Sequence, residues 1–134
     1  MNRKKNLSLI IPIYDSSSYL KNLLNNLVVV NYSQFYEIIL INDFSKDNSL
    51  SICNSFKKKN PKINIKIITN KKNLGVGISR NKGIKAAKGE YLLFLDSDDN
   101  IYNKNLLKLI KYLIFKSKSE DIFFLNFEDT DGKV

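Results

Sequence analysis

The sequence predicts an α/β fold in which a mostly parallel, doubly wound sheet is covered by helices on both faces. Two observations support this prediction. Short apolar runs alternate along the chain with longer segments whose apolar residues recur at helical spacing. The runs are continuously apolar rather than alternating between apolar and polar, which is typical of strands buried on both faces. Strand–helix alternation of this kind favours parallel strands joined by right-handed crossovers.

The first half of the chain predicts two strand–helix units and a third strand. Residues 7–13 form an apolar run, and the helical pattern after it begins in a serine cluster that offers N-caps. A second apolar run covers residues 37–41, and Asp47 is placed to cap the helix that follows. That helix is expected to end near Pro61, because the residue before a proline disfavours helical geometry. Residues 63–69 predict the third strand.

The second half repeats the alternation. A polar loop with glycines, a helix, a strand, a helix and a last strand are predicted over residues 70–77, 78–88, 91–95, 106–114 and 122–127. Gly89 is expected to stop the first of these helices. The length of 134 residues suits a single domain spanning 1–134. Ligands of such sheets bind at the carboxyl ends of the strands, where the strand order reverses.

The composition excludes several kinds of site. Cys53 is the only cysteine, so an internal disulfide is impossible, and we expect its side chain in the core. Without histidine there is no Ser-His-Asp triad and no His–metal site. Any metal must therefore be bound by oxygen, which favours Mg²⁺ or Mn²⁺ over zinc.

The net charge of +9 raises the question of nucleic acid. No aromatic residue is interleaved with the lysine runs 57–59 and 71–72 to stack on bases, so we expect solvated faces and no nucleic-acid partner. Such runs would also suit peripheral association with an anionic membrane surface. The basic, apolar N-terminus lacks a signal-peptide cleavage site, and no stretch approaches the ~20 apolar residues of a transmembrane helix. We therefore expect a cytoplasmic location.

Three carboxylates follow the fourth predicted strand directly: Asp96, Asp98 and Asp99. They repel one another unless a cation lies among them, and Asp96 and Asp98 could share a divalent ion from an extended segment. The alternative is a cluster that caps the next helix, which is strongest for Asp99 taken alone. For the three together we favour metal binding.

Two further residues lie where a ligand is expected. Asp43 ends the second strand and could accept hydrogen bonds from a ribose hydroxyl or a base imide, although local turn formation remains an equal alternative. Arg80 follows a glycine-containing loop and would lie in the first turn of a helix, where it could grip a phosphate through two hydrogen bonds. A solvated surface arginine is the alternative there.

Three segments in this order and spacing resemble the nucleotide-sugar half of the GT-A family 2 glycosyltransferases. They are SLIIPIYDSSSYL, INDFSKDNS and NLGVGISRNKGIKAAKGEYLLFLDSDD, the last of which ends in a D-x-D motif. The resemblance extends from Leu7 to about Phe127. It implies a metal-dependent, inverting enzyme that transfers a sugar from a nucleoside-diphosphate-sugar to a glycan or lipid-linked acceptor. Among such donors, the resemblance favours a UDP-sugar.

The resemblance also implies roles for individual residues. Pro12 and Tyr14 match residues that line the nucleobase, and Asp43 matches the acid that holds the base or ribose. The implied donor-binding set is Pro12, Tyr14, Asp15, Asp43, Ser45, Arg80, Asp96 and Ser97. Within it, Arg80 matches an arginine near the pyrophosphate, and Asp98 with Asp96 matches the pair that binds Mn²⁺ or Mg²⁺. Such an ion would neutralise charge on the departing diphosphate.

The chain departs from the family pattern in three respects. Phe44 stands where glycine is usual, and Asp15 stands where asparagine is usual, which adds a negative charge. In the family the acceptor-binding half and the general base lie downstream, so we expect residues 1–134 to lack that half and assign the base to no residue. A nucleotide-sugar binder without turnover is therefore the alternative function. A receiver-like signalling domain is disfavoured, because no aspartate follows the third strand.

Overall fold

The computed structural model describes residues 7–29, 36–99, 101, 106–116 and 122. Strands and helices alternate along these residues. They are β1 (Leu7–Ile13), α1 (Ser17–Val29), β2 (Tyr36–Asn42), α2 (Ser49–Lys59), β3 (Ile65–Thr69), α3 (Val76–Ala86), β4 (Tyr91–Phe94) and α4 (Leu106–Lys116). The predicted alternation is therefore confirmed through α4. The predicted strand at 122–127 lies outside the described residues, except for Ile122.

The described strands form one parallel sheet in the order β3-β2-β1-β4. Strand β1 lies between β2 and β4, with Ile10 opposite Ile39 on one side and Phe94 on the other. Every residue of β1 is buried, which explains why its sequence is almost continuously apolar. The fold class expected from the sequence is confirmed.

Side chains of β1 alternate between two apolar layers. Leu9 and Ile11 belong to the larger layer, which also contains core residues from α1, α2 and α4. Ile10 belongs to the smaller layer with Ile39 and Ile41 from β2. This second layer lies under α3, whose Gly83 approaches Ile10 closely enough that an added Cβ would be 2.5 Å from its Cγ2. Helices therefore cover both faces of the sheet, as expected for a doubly wound fold.

The strand order reverses between β1 and β4. The chain runs outward from β1 through β2 to β3, then crosses by way of α3 to the other side of β1. The loops after β1 and β4 therefore leave the sheet next to each other, at the edge where a doubly wound sheet binds its ligand.

The end of α3 differs from the sequence prediction. The helix ends at Ala86 and the backbone of Ala87 is extended (ψ 141°), so Gly89 is not the stop. The amide of Lys88 donates to Glu37 Oε1 at 2.5 Å, and the amide of Gly89 donates to Ser8 Oγ at 2.8 Å. Because Ser8 and Glu37 are buried neighbours in the sheet, this polar pair draws the chain out of the helix early. Helix α3 also begins at Val76, two residues before the predicted start.

Helices α1 and α2 share a capping side chain. Asp47 Oδ2 accepts from the amide of Ser17, and Asp47 Oδ1 accepts from the amide of Ser49, both at 2.9 Å. Asp47 was expected to cap α2 alone; in the structure its carboxylate serves the first turn of both helices. Burial alone would raise the pKa of Asp47, but the hydrogen bonds from Ser49 and Ser17 outweigh it and lower the pKa to about 2.

Within the described part of the chain, no helix is long and apolar enough to cross a membrane.

Cys53 lies in the larger core layer, as expected, and burial raises the pKa of its thiol to about 12. The thiol is therefore kept neutral, which agrees with a packing role.

Candidate functional site

A cleft of about 280 Å³ lies at the carboxyl ends of β1, β2 and β4, beside the first turns of α3. Its walls come from the ends of β1 and β2, the first turns of α3 and the loop after β4. The lining residues are Pro12, Ile13, Tyr14, Asp43, Val76, Ser79, Arg80, Asp96, Ser97 and Asp98. The structure therefore brings together all the candidate site residues from the sequence except Asp15, Ser45 and Asp99. Their roles toward a ligand stay predictions.

Asp43 is 3% exposed and is held by the loop that precedes α3. Its Oδ1 accepts from Asn70 Nδ2 and from the amide of Leu74, each at 2.8 Å. Its Oδ2 accepts from the amide of Gly75 at 2.8 Å. Oδ2 therefore keeps an acceptor position for a further donor, and Asp43 lines the cleft.

These contacts keep Asp43 ionised. Burial alone would raise the pKa of its carboxyl, but hydrogen bonds from Asn70, Leu74 and Gly75, helped by the charge of Lys82, lower the pKa below its ordinary value. A buried, ionised carboxylate favours a ligand group that donates a hydrogen bond and disfavours one that only accepts. The sequence raised two alternatives for Asp43, local turn formation and contact with a ligand. Its carboxylate can do both, because it binds the loop amides and also lines the cleft.

The three aspartates of the turn after β4 make different contacts. Asp99 Oδ2 accepts from the amide of Asp96 at 2.7 Å, and the amide of Asp99 donates back to the Asp96 carbonyl at 3.0 Å. Asp99 thus closes the turn and does not line the cleft, whereas Asp96 and Asp98 do. Burial, together with the charges of Asp96 and Asp98, raises the pKa of Asp99 despite the hydrogen bond from the amide of Asp96. Asp99 therefore stabilises the turn itself rather than capping a helix, and the other two carboxylates line the cleft.

Arg80 reaches across the cleft from α3 to this turn. Its Nη2 lies 2.6 Å from Asp96 Oδ1, with the two side chains 37% and 53% exposed. The Arg80 Nε is buried and has no partner among the described residues. One oxygen of Asp96 is therefore neutralised by a guanidinium that retains donors for another group. Arg80 is therefore paired at the cleft, and its contact with a phosphate stays a prediction.

The donor set at the cleft fits a hard divalent cation. Among the described residues, no hydrogen bond or ion pair engages the Asp98 carboxylate, and Asp96 Oδ2 is likewise without a partner. These oxygens are ligands of the kind that Mg²⁺ and Mn²⁺ take. No group of three or more acidic or cysteine side chains is poised around a metal in the described ranges. Two carboxylates therefore suit an ion whose remaining positions are filled by water and phosphate oxygens.

Ser97 joins the acidic turn to the start of α1. Its hydroxyl lies 2.5 Å from Ser16 Oγ, and Ser16 Oγ donates its own hydrogen to the Tyr14 carbonyl. Since a hydroxyl has only one hydrogen, Ser97 must be the donor between the two serines. This contact ties the two loops on either side of the cleft together.

Asp15 and Ser45 lie outside the cleft lining and clamp the loops after β1 and β2. Asp15 Oδ1 accepts from the amides of Lys46 and Asp47 at 2.6 and 3.3 Å. The Asp15 amide donates to Ser45 Oγ at 3.1 Å. Both residues therefore shape the rim near Tyr14, and a direct contact with a ligand stays a prediction for each.

The comparisons with known proteins decide the family. The model of Glycosyl transferase family 2 matches residues 8–128. The chain belongs to glycosyl transferase family 2. A poly(ribitol-phosphate) beta-glucosyltransferase of Bacillus spizizenii is 39% identical over 95% of this chain and 20% of its own length. Glycosyltransferase GlyG of Streptococcus pneumoniae is 33% identical over 94% of this chain and 41% of its own. The chain thus spans less than half the length of these family 2 relatives.

Solved structures agree with the family 2 assignment. The crystal structure of Staphylococcus aureus TarS 1-349 in complex with UDP matches with a TM-score of 0.74 and 35% identity, over 83% of this chain and 32% of that chain. A mannosyltransferase of Pyrobaculum calidifontis in complex with GDP-Man and Mn²⁺ matches with a TM-score of 0.76 over 84% of this chain and 33% of that chain. Its 18% identity supports the fold alone.

The glycine expected by the family pattern after Asp43 has a physical reason in this structure. Phe44 occupies that position with a φ of 63°, in the left-handed region that glycine adopts at least cost. Lys46 Nζ lies 3.8 Å from the centroid of the Phe44 ring, a cation–π contact that offsets part of the strain. Phe44 therefore adopts the left-handed backbone conformation that glycine would adopt at lower cost.

Sequence reasoning missed three members of this family 2 cleft and one residue behind it. Ile13, Val76 and Ser79 line the cleft, and Asn70 holds Asp43 from behind. Position at the carboxyl end of a strand was the available signal for Ile13 and Asn70. Val76 belongs to the predicted loop 70–77 and Ser79 to the first turn of the predicted helix 78–88, but neither residue type pointed to the cleft.

Proposed function

We propose that the chain is the donor-binding part of an inverting glycosyltransferase that takes a sugar from a UDP-sugar and transfers it to a glycan or lipid-linked acceptor. The observation that carries the proposal is the cleft at the reversal of strand order, where Asp43, Arg80, Asp96 and Asp98 converge. The choice of uridine is supported by the family 2 relative that was crystallised with UDP. A bacterial surface polymer as acceptor is supported by the relative that acts on poly(ribitol-phosphate).

In this proposal the two ends of the cleft bind different parts of the donor. Asp43 accepts a hydrogen bond from the imide of the base or from a ribose hydroxyl, through the acceptor position left on Oδ2. Beside Asp43, the exposed ring of Tyr14 and the buried ring of Pro12 supply apolar surface to the cleft. Arg80 binds a diphosphate oxygen with the donors that Asp96 leaves unused. The nucleoside end is thus selected by hydrogen bonding and the diphosphate end by charge.

The charge balance of the cleft supports a requirement for a divalent cation. Three of its lining residues are aspartates and only one, Arg80, is basic. A diphosphate entering such a site is repelled unless further positive charge accompanies it. Asp98, assisted by Asp96, would hold Mn²⁺ or Mg²⁺, which as a Lewis acid stabilises the charge of the leaving nucleoside diphosphate. The general base that deprotonates the acceptor hydroxyl is assigned to no described residue.

Calorimetric titration with UDP, with and without MnCl₂, tests the proposal. We expect binding by the wild-type chain that is strengthened by the metal. Asp98→Asn should abolish most of the strengthening by the metal. Glu90→Gln is the control: it removes the same charge just before the amino end of β4, away from the cleft, and should leave the effect of the metal unchanged. Arg80→Ala should weaken UDP binding by ~1–3 kcal/mol, the range for a hydrogen bond to a charged group. Absence of UDP binding by the wild type would refute the proposal, and an Asp98→Asn variant as metal-responsive as the wild type would refute the metal role.

A further inference from the structure

Behind Asp43 lies a chain of hydrogen bonds that starts at Lys82 on α3. Lys82 Nζ donates to Asn70 Oδ1 at 2.6 Å. The Nδ2 of Asn70 donates in turn to Asp43 Oδ1 at 2.8 Å and to Ser79 Oγ at 3.1 Å. Asn70 and Ser79 are buried, at 1% and 0% exposed, while Lys82 is partly exposed. The chain therefore connects a cation near the surface to a buried carboxylate that lines the cleft.

The donors and acceptors of this chain allow one orientation of the Asn70 amide. An ammonium group can only donate and an ionised carboxylate can only accept. The amide oxygen must therefore face Lys82, and the amide nitrogen must face Asp43. If the amide turned over, its oxygen would lie against the Asp43 carboxylate and its nitrogen against the Lys82 ammonium, so both contacts would become repulsive.

The orientation of Asn70 matters because Asn70 is one of the three donors that hold the Asp43 carboxylate. Two of its three partners are backbone amides of one loop, from Leu74 and Gly75. Asn70 supplies the remaining contact and is the only side chain among the described donors to this carboxylate. Oδ2 can offer its remaining acceptor position in a defined direction only while the carboxylate does not rotate.

We propose that Lys82 and Asn70 are positioning residues that hold the Asp43 carboxylate in the orientation required for the nucleoside of the donor. This inference rests on the proposed function, in which Asp43 contacts that nucleoside. Lys82 acts through Asn70 and does not line the cleft. Its loss would leave the buried Asn70 oxygen without a donor and release the amide to turn over.

Calorimetric titration with UDP and MnCl₂ tests this inference with three variants. Lys82→Met keeps the length of the side chain and removes the donor, and Lys82→Arg restores a donor that cannot accept. Lys85→Met is the matched control, because Lys85 is exposed on the same helix and its ammonium group has no hydrogen-bond partner among the described residues. We expect Lys82→Met to raise the Kd for UDP about tenfold. Lys82→Arg should remain within about threefold of the wild type and Lys85→Met within about twofold.

The melting temperature of each variant is measured alongside, since a positioning role predicts weaker binding without loss of folding. If Lys82→Met lowers the melting temperature, Lys82→Gln, which keeps a neutral donor, takes its place, and we expect a Kd between those of Lys82→Met and the wild type. Equal Kd values for Lys82→Met and the wild type would overturn the inference and leave the proposed function intact. Equal weakening by Lys85→Met, or failure of Lys82→Arg to restore binding, would also overturn it. No UDP binding by the wild type would instead remove the proposed function on which the inference depends.

Discussion

The contact between α3 and the sheet predicts opposite effects for two glycines of the same helix. Gly83 lies on the buried face, where an added Cβ would be 2.5 Å from Ile10 Cγ2 and 3.1 Å from Ile41 Cδ1. Both isoleucines are fully buried between the sheet and the helix, so neither can swing aside. Gly77 lies near the start of α3, and an added Cβ there would meet no described atom within 4 Å. Gly83→Ala and Gly77→Ala therefore add the same methyl group to one helix in two different environments.

The magnitude follows from the distances. Carbon atoms pack at ~3.5–4.0 Å, so Gly83→Ala requires α3 to move away from β1 by roughly 1 Å. Overpacking of this kind costs about 1–3 kcal/mol, and so short a contact belongs in the upper half of that range. The better helix propensity of alanine returns up to about 1 kcal/mol. We therefore expect Gly83→Ala to lower the free energy of unfolding by about 1–2 kcal/mol, and Gly77→Ala to raise it by about 0.5 kcal/mol.

Urea unfolding followed by far-UV circular dichroism measures both values, since the chain has no tryptophan to report by fluorescence. With an unchanged dependence on denaturant, the two midpoints should move in opposite directions. A Gly83→Ala variant as stable as Gly77→Ala would show that α3 does not approach the sheet as closely as described, and would refute the reasoning.

Two further predictions concern the loop after β2. Phe44→Gly and Phe44→Ala both delete the ring and its contact with Lys46, but only glycine relieves the φ of 63°, so Phe44→Gly should be the more stable variant by about 1 kcal/mol in urea unfolding. Equal stability would indicate that the left-handed turn relaxes when the ring is lost. Asp47, with its pKa lowered to about 2, stabilises the fold above the pKa range of an ordinary aspartate, and this contribution is lost as the pH falls toward that value. In urea unfolding at pH 6, Asp47→Asn should therefore be less stable than the wild type by about 1 kcal/mol, after allowance for solvent screening. This difference in the free energy of unfolding should shrink as the pH is lowered toward 2. A difference that does not depend on pH would contradict the stabilising role of the ionised Asp47 carboxylate.

Local patterns were sufficient for most of the secondary structure. The apolar run of β1 predicts its strand because both faces of a central strand are buried, and the helical periodicity of α1 and α2 reflects one apolar face each. The same patterns failed at the end of α3. There a buried polar pair, Ser8 and Glu37, binds the amides of Lys88 and Gly89 from another part of the chain, and no local signal carries that information.

The sequence predicted those candidate site residues that directly follow a strand or belong to a family motif. Asp43, Asp96 and Asp98 follow strands whose carboxyl ends meet at one edge, so their convergence could be anticipated. That Asp99 closes the turn, while the Asp98 carboxylate has no partner among the described residues, could not be anticipated, because the two residues are adjacent and chemically identical. Only backbone geometry distinguishes them.

The sequence by itself determined the fold class, the family and the edge of the sheet where the site lies, since burial periodicity and motif spacing are written along the chain. The tertiary structure alone decided which partners each polar group has. It placed Arg80 on Asp96, Asp47 on two helices, and Lys82 behind Asp43 through Asn70. Hydrogen bonds and ion pairs act over about 3 Å between residues distant in sequence, so they exist only once packing has brought those residues together.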